Sequence, residues 1–304
     1  MLRFEVTILG AGSASPTLTR NPSSQLLNLS ETYFLIDCGE GTQIQLRKNK
    51  LSWAKIDHIF ISHLHGDHYL GLLGLLQSMH LLGRKKTLHL YCFPELKEII
   101  DIQNKYSFTV LNYEIEYHFL SSKKHEKIAE TKHVCIYSFP LNHRIPCVGF
   151  LFKELESPRK IIKENLSKYN VSTAEIHKLR KGLNAFDEEG NEISYQLLTD
   201  ASYQPRSYAY CSDTKYDERL IDYLKEVDVL YHEATFLNDL KDRAAATFHS
   251  TAEQAALIAK KAQVKKLILG HYSARYHSID DFLVEAEQVF NNVFLAKEGL
   301  TFKI

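Results

Sequence analysis

The chain has 304 residues, 44% hydrophobic and 24% charged, the composition of a folded globular protein with room for one large domain or two modest ones. Its 37 basic and 37 acidic side chains balance, which argues against coating nucleic acid by bulk charge but allows a local basic patch. No apolar run approaches the roughly 20 residues of a membrane span, and Glu5 inside the first apolar stretch fits an opening strand, not a signal peptide.

Apolar runs and alternation predict strands at 4–9, 24–28 and 32–37, a helix over about 40–50 and a buried strand at 56–61. Helical character then runs from 69 to 82, starting in the loop after that strand. Further strands are expected at 87–92, 114–119, 133–139 and 147–152. The second half repeats the scheme: strands at 208–211, 229–232 and 266–269, with helices at 217–225, 251–262 and 279–289. Between the halves, 153–196 is charged and weakly amphipathic, and reads as an arm inserted into a single domain spanning 1–304; an ordinary solvated helical excursion is the alternative. Cys38, Cys92, Cys135, Cys147 and Cys211 are scattered and form no Cys-x-x-Cys pair, as expected of buried free thiols in a reducing cytoplasm.

His63, His65, Asp67 and His68 lie within six residues, where the 56–61 strand stops and a helix begins. Gly66 lets the chain turn there. His63 and His65 are two apart, so in extended backbone they point the same way. Asp67 and His68 follow the turn and can face a second point. Polar loop residues without a metal are the bland reading, but imidazole and carboxylate together suit zinc. The His-x-His-x-Asp-His run resembles that of the metallo-β-lactamase fold. The resemblance implies an α+β, four-layer αββα sandwich with a site at one edge, and it leaves the substrate open.

Three more candidate ligands stand where later apolar runs stop: His143 after 133–139, Asp213 after 208–211 and His271 after 266–269. They should share one rim with the histidine cluster. The expected grouping puts His63, His65 and His143 on one zinc, and Asp67, His68 and His271 on the other. Asp213 bridges, because a carboxylate has two oxygens to offer. Such a pair activates water near neutral pH, and Asp67 is also placed to orient that water. Mn²⁺ would suit the same donors.

Further motifs resemble one branch of that fold, the ribonuclease Z family of tRNA 3′-processing endonucleases. They are Gly10-Ala-Gly-Ser-Ala-Ser-Pro-Thr17 with Arg20-Asn-Pro-Ser-Ser24, Asn142-His-Arg144, His232-Glu-Ala-Thr235, His249-Ser-Thr251 and His271-Tyr-Ser-Ala-Arg-Tyr276. The resemblance runs from the first strand to about Tyr276, with the arm as its main gap. It implies a cytoplasmic, homodimeric, zinc-dependent hydrolase that cuts precursor tRNA and leaves a 3′-hydroxyl, with no part for a membrane.

In that chemistry His249 donates a proton or contacts phosphate, and Glu233 fixes its tautomer and raises its pKa. The plainer readings are a neighbour of a helix cap for His249 and a structural salt bridge for Glu233. Arg275 offers a bidentate phosphate fork. Arg20 is either an RNA contact or a surface residue. Gly10 to Gly12 either presents N–H groups to phosphate or makes a tight turn. Family arms grip tRNA and often carry a Gly-Pro-rich motif; 170–182 lacks it, although Lys178, Arg180 and Lys181 remain to bind phosphate. A metallo-phosphodiesterase or esterase acting on a small molecule would keep every ligand but need no arm. A non-catalytic RNA-binding scaffold would need neither the ligands nor His249.

Overall fold

The computed structural model describes residues 3–156, 158–200 and 204–304. Two compact units emerge: residues 154–206, and the remainder of the described chain.

The larger unit opens with β1 (Phe4–Gly10), β2 (Ser24–Leu29) and β3 (Thr32–Cys38), followed by the short helix α1 (Thr42–Lys48). β4 (Ile56–Phe60) leads into α2 (Gly66–Leu81), β5 (Leu88–Cys92) into α3 (Pro94–Tyr106), and β6 (Ile115–Phe119) is an edge strand. β7 (Glu126–Glu130), β8 (Val134–Pro140) and β9 (Val148–Glu154) begin a second sheet.

The smaller unit has a minute core of Leu179, Ala185, Ile193 and Leu198. Around it lie β10 (Lys160–Ile161), α4 (Lys163–Leu166), α5 (Thr173–Arg180), β11 (Ala185–Phe186), β12 (Glu192–Ile193), α6 (Tyr195–Leu198) and β13 (Thr199–Asp200). Ser172 caps α5 by accepting from the Glu175 N–H at 3.3 Å, satisfying one of the donors a helix start leaves open. β10 pairs with β13, which closes this unit on itself. The segment expected to form an arm falls almost wholly inside it.

The chain returns to the larger unit with β14 (Ser207–Cys211), α7 (Leu220–Leu224), β15 (Val229–Glu233), α8 (Lys241–Thr247) and α9 (Ala252–Lys261). β16 (Lys266–Gly270), α10 (Asp280–Glu287), β17 (Val293–Leu295) and β18 (Thr301–Lys303) complete it. The first sheet runs β18-β1-β2-β3-β4-β5-β6 and the second β17-β16-β15-β14-β9-β8-β7. β3 to β6 are parallel, as are β14 to β17. Parallel neighbours need crossovers, and here helices supply most of them.

The two sheets pack face to face through aromatic side chains. Phe60 stacks on Tyr91 at 4.3 Å and meets Phe150 and Phe152 edge-on at 5.3 and 5.5 Å; each such pair contributes about 0.5–1.5 kcal/mol beyond area burial. On the outer side of the first sheet, Leu35, Ile59, Leu72, Leu75 and Leu96 form a second core under α2 and α3. On the second sheet, α9 lies against β15 and β16, and its buried alanines Ala255, Ala256 and Ala259 permit close approach. This is the expected αββα sandwich.

Several expectations needed correction. α3 and β7 were not anticipated, and α7 spans only Leu220–Leu224 where 217–225 was predicted. Asp217 turns back to accept from the Arg219 N–H at 3.0 Å, so the first residues of that stretch form a turn and not helix. α2 begins at Gly66, earlier than 69, so Asp67 and His68 already lie in its first turn.

Candidate metal centre

The parallel strands end at one rim, and the candidate ligands stand there. Past β4 the chain stays paired for two more residues: the Ile61 N–H donates to the Tyr91 carbonyl at 2.9 Å, and the Ser62 N–H to Asp37 Oδ1 at 2.8 Å. His63 and His65 follow in extended backbone, and His65 stands at the N-cap of α2. A helix N-terminus favours a nearby anion, and Asp67 occupies its first turn. α2 can lie so close to the β3–α1 turn because residue 71 is glycine; a Cβ there would come within 2.1 Å of the Gly39 carbonyl oxygen.

His63, His65 and His143 converge. His63 Nε2 and His143 Nε2 lie 3.0 and 3.1 Å from His65 Nδ1. Asp67, His68 and His271 form the neighbouring group, with His271 Nε2 at 3.3 Å from both Asp67 Oδ2 and His68 Nε2. Asp213 faces both groups with different oxygens. Its Oδ1 is 3.3 Å from His68 Nε2 and 3.2 Å from His271 Nε2, and its Oδ2 is 3.6 Å from His63 Nε2 and 3.8 Å from His143 Nε2. All seven residues that the sequence nominated are therefore brought together.

The hydrogen bonds around the rings turn their Nε2 atoms inward. His143 Nδ1 donates to the Phe248 carbonyl at 3.0 Å, His68 Nδ1 to Asp37 Oδ2 at 2.7 Å, and His271 Nδ1 to Thr235 Oγ1 at 2.9 Å. With Nδ1 engaged, Nε2 is the atom each ring offers to the interior, and a metal ligand needs it free of a proton. His68 Nε2, His271 Nε2, Asp67 Oδ2 and Asp213 Oδ1 face one another, and Asp213 Oδ1 is buried without a hydrogen-bond donor among the described residues. Two oxygens and two nitrogens in that relation are what a divalent cation requires. Burial opposes a charge on His68, yet the carboxylates of Asp213, Asp67 and Asp37 hold its imidazole well above the ordinary histidine range, a positive charge standing where a cation would sit. Burial holds His63 well below the ordinary histidine range; burial and then the His143 ring bring His65 to about 4. Both stay neutral, the state a metal ligand needs. Burial opposes the charged forms of Asp67 and Asp213, yet the imidazoles facing them hold both carboxyls below the usual range.

Supporting residues surround these ligands. Asp37, fully buried at the end of β3, accepts from Ser62 N, Ser62 Oγ and Tyr210 Oη as well as from His68. It fixes the His68 ring, as outer partners of metal-binding histidines do. The sequence reading missed it; its one signal is an acid closing the apolar run Phe34-Leu-Ile36. Asp67 Oδ2 accepts from the Ala14 N–H at 2.7 Å. The Gly12 and Ser13 N–H groups donate to the Asn21 and Tyr272 carbonyls at 2.9 and 3.0 Å in parallel bridges, so these N–H groups are taken up by distant segments of the chain and by Asp67. His271 adopts φ +62°, a left-handed conformation that costs about 1–2 kcal/mol for a residue with a Cβ.

Beside the ligands, His249 Nδ1 lies 2.9 Å from Glu233 Oε1. Burial opposes a charge on His249, but the Glu233 carboxylate outweighs it and lifts the imidazole to about 9. Glu233 also accepts from Thr214 N, Ser250 N, Thr235 N and Thr235 Oγ1, so its position is fixed from several elements. The helix cap after His249 is Thr251, in a capping box with Gln254. His249 and Arg275 open on one cleft with Asp67, Arg144 and Arg243. The sequence gives no sign of Arg243, and presents Arg144 only as the neighbour of His143. Arg20 is not among the residues lining the cleft; its part-buried guanidinium donates to the Tyr276 carbonyl. Lys178, Arg180 and Lys181 are exposed in the 154–206 unit, with Lys178 paired to Glu175 at 2.6 Å.

A family model described as "Anti-Pycsar protein Apyc1" matches residues 4–154. A protein named ribonuclease Z from Cytophaga hutchinsonii is 48% identical over 302 residues, covering 99% of this chain and 96% of that protein. Another ribonuclease Z, from Bacteroides fragilis, is 43% identical over 300 residues, with 99% of each covered. The crystal structure of the short form of human tRNase Z superposes with a TM-score of 0.72 at 26% identity, covering 98% of both chains. YhfI of Bacillus subtilis, described as a metallo-β-lactamase fold protein, shares the fold with a TM-score of 0.70 at 19% identity over the whole of both chains. With the fold, the ligand rim and full-length relatives in agreement, the chain belongs to the ribonuclease Z family.

Proposed function

We propose that this protein is a metal-dependent endoribonuclease that removes the 3′ trailer of precursor tRNA, using two Zn²⁺ held at the rim. The observation that carries this reading is the pair of donor groups shared by Asp213, set beside the His249–Glu233 pair. His63, His65 and His143 would hold one ion and Asp67, His68 and His271 the other, with Asp213 placed to serve both. When bound, the two ions supply a water made nucleophilic near neutral pH and a positive field for the charge growing on phosphate.

The protein's own residues do the remaining work. Arg275, Arg144 and Arg243 line the cleft as exposed cations that attract and orient a phosphate. Asp67, held by the Ala14 N–H, orients the attacking water. The bond from phosphorus to the 3′ oxygen of the tRNA breaks, and His249 gives its proton to that oxygen. The tRNA is left with a 3′-hydroxyl and the trailer with a 5′-phosphate. Glu233 acts through His249, keeping it protonated and correctly turned.

The 154–206 unit serves as the tRNA-gripping arm, with Arg180 and Lys181 as exposed cations that have no ion-pair partner among the described residues and Lys178 available by exchange from Glu175. Net charge is zero, so RNA contact concentrates in that arm and in the arginine-lined cleft. Exposed Ile44 on α1 and Leu81 and Leu82 at the end of α2 support a homodimer contact on that face. Five free, buried cysteines fit a reducing cytoplasm. Among the described residues no helix is long and apolar enough to cross a membrane. A small-molecule phosphodiesterase is not favoured, because full-length relatives at 41–48% identity are named ribonuclease Z.

The test is to incubate pure protein with a 3′-extended tRNA transcript, with and without chelator, and map the new end. The proposal expects one cut after the discriminator base, a 3′-hydroxyl, and loss of cleavage with chelator. Cleavage indifferent to chelator, or cutting confined to small phosphodiesters, contradicts it.

A further inference from the structure

Away from the rim, the first sheet carries a second group of metal-ligand side chains. His89 on β5 lies opposite Glu116 on the edge strand β6, and Tyr91 lies opposite His118. Side chains two apart on a strand share a face, so all four project from one side of the sheet. His89 Nδ1 and His118 Nε2 are 3.2 Å apart, and Glu116 reaches both: Oε2 is 3.3 Å from His89 Nδ1 and Oε1 is 3.5 Å from His118 Nε2.

Those separations match a metal site. Zinc binds imidazole nitrogen and carboxylate oxygen at about 2.0–2.2 Å in a tetrahedron, whose edges are then about 3.3–3.6 Å; Glu116 meets each ring with a different oxygen, and a small turn of its exposed carboxylate brings one oxygen between them. The two rings are held in place by stacking: His89 lies on His58 at 4.9 Å and 14°, and His118 on Tyr91 at 4.3 Å and 12°. The imidazole side chains are about one-third exposed and Glu116 half-exposed. A cation can therefore enter from solvent and keep a water or an exogenous ligand as its fourth donor.

We infer that His89, Glu116 and His118 form a separate, exchangeable Zn²⁺ site that ties the edge strand β6 to β5. It is distinct from the catalytic pair. His58, the register partner of His89, precedes His63 by five residues of extended chain, roughly 16 Å at about 3.3 Å per residue. Binding exchanges water for protein ligands and needs no redox partner. The tie fixes a strand whose outer edge has no partner among the described residues, the kind of edge that proteins otherwise protect with charge or cover.

The experiment is calorimetric titration of the full-length, zinc-loaded protein with further Zn²⁺, with bound metal counted by mass spectrometry. Wild type is expected to take one Zn²⁺ per chain more than His118→Ala, while both cleave precursor tRNA equally. Glu116→Gln changes a half-exposed side chain without altering its shape, and is expected to weaken the extra ion by about tenfold or more. Equal metal counts in wild type and His118→Ala, or unchanged affinity in Glu116→Gln, overturn the inference. Because the readout is a difference between variants, it holds whether or not the rim binds two ions.

Discussion

His249 Nδ1 stands 2.9 Å from Glu233 Oε1, and Thr235 Oγ1 joins the same carboxylate at 2.8 Å while receiving the Nδ1 proton of His271. One buried acid thus orients the imidazole proposed as proton donor and, through a threonine, a proposed metal ligand. The same short segment, Glu233 to Thr235, positions both His249 and His271.

This coupling fixes a pH dependence. His249 is lifted to about 9, so it stays protonated at neutral pH and loses its proton as the pH rises through that value. Cleavage should fall along an alkaline limb there. Glu233→Gln removes the carboxylate that raises the imidazole, and the limb should move to lower pH. His249→Ala should lower kcat by about 10²–10⁴-fold, the usual range for a lost general acid, with little change in KM. A pH–rate profile identical in wild type and Glu233→Gln would refute the role given to Glu233.

Asp37 touches no substrate but holds His68 through its Nδ1. Asp37→Asn should weaken zinc at the Asp67–His68–His271 position by about 10–100-fold and leave the His63–His65–His143 position largely intact. Stepwise removal with a graded chelator, followed by metal counting, separates the two positions. Equal loss from both would show that Asp37 supports the rim as a whole.

The arm makes its own prediction. Excising residues 157–191 should abolish precursor tRNA cleavage while hydrolysis of bis(p-nitrophenyl) phosphate persists, because the ligands and His249 lie outside the excised segment. If both activities survive, the 154–206 unit is no tRNA grip.

Much of this site was legible because its ligands are local or stand at strand ends. His63 to His68 announce themselves in six residues, and His143, Asp213 and His271 each follow an apolar run. Asp37 was missed because its role appears only when β3, β4 and β14 come together around it. Arg243 is one of many surface cations until the fold turns α8 toward the cleft. β7 was missed for a different reason: Glu126–Glu130 is an edge strand with no buried residue, so it lacks alternation. α3 escaped because only Leu96 and Ile100 are buried, although Pro94 marks a helix start.

The central claim is that the seven rim side chains hold two cations bridged by Asp213. Anomalous diffraction at the zinc edge from crystals of the purified protein tests it most directly. The account predicts two peaks at the rim about 3.5–4 Å apart, one among His63, His65 and His143 and one among Asp67, His68 and His271, both touching Asp213. A single rim peak, or none, would contradict it.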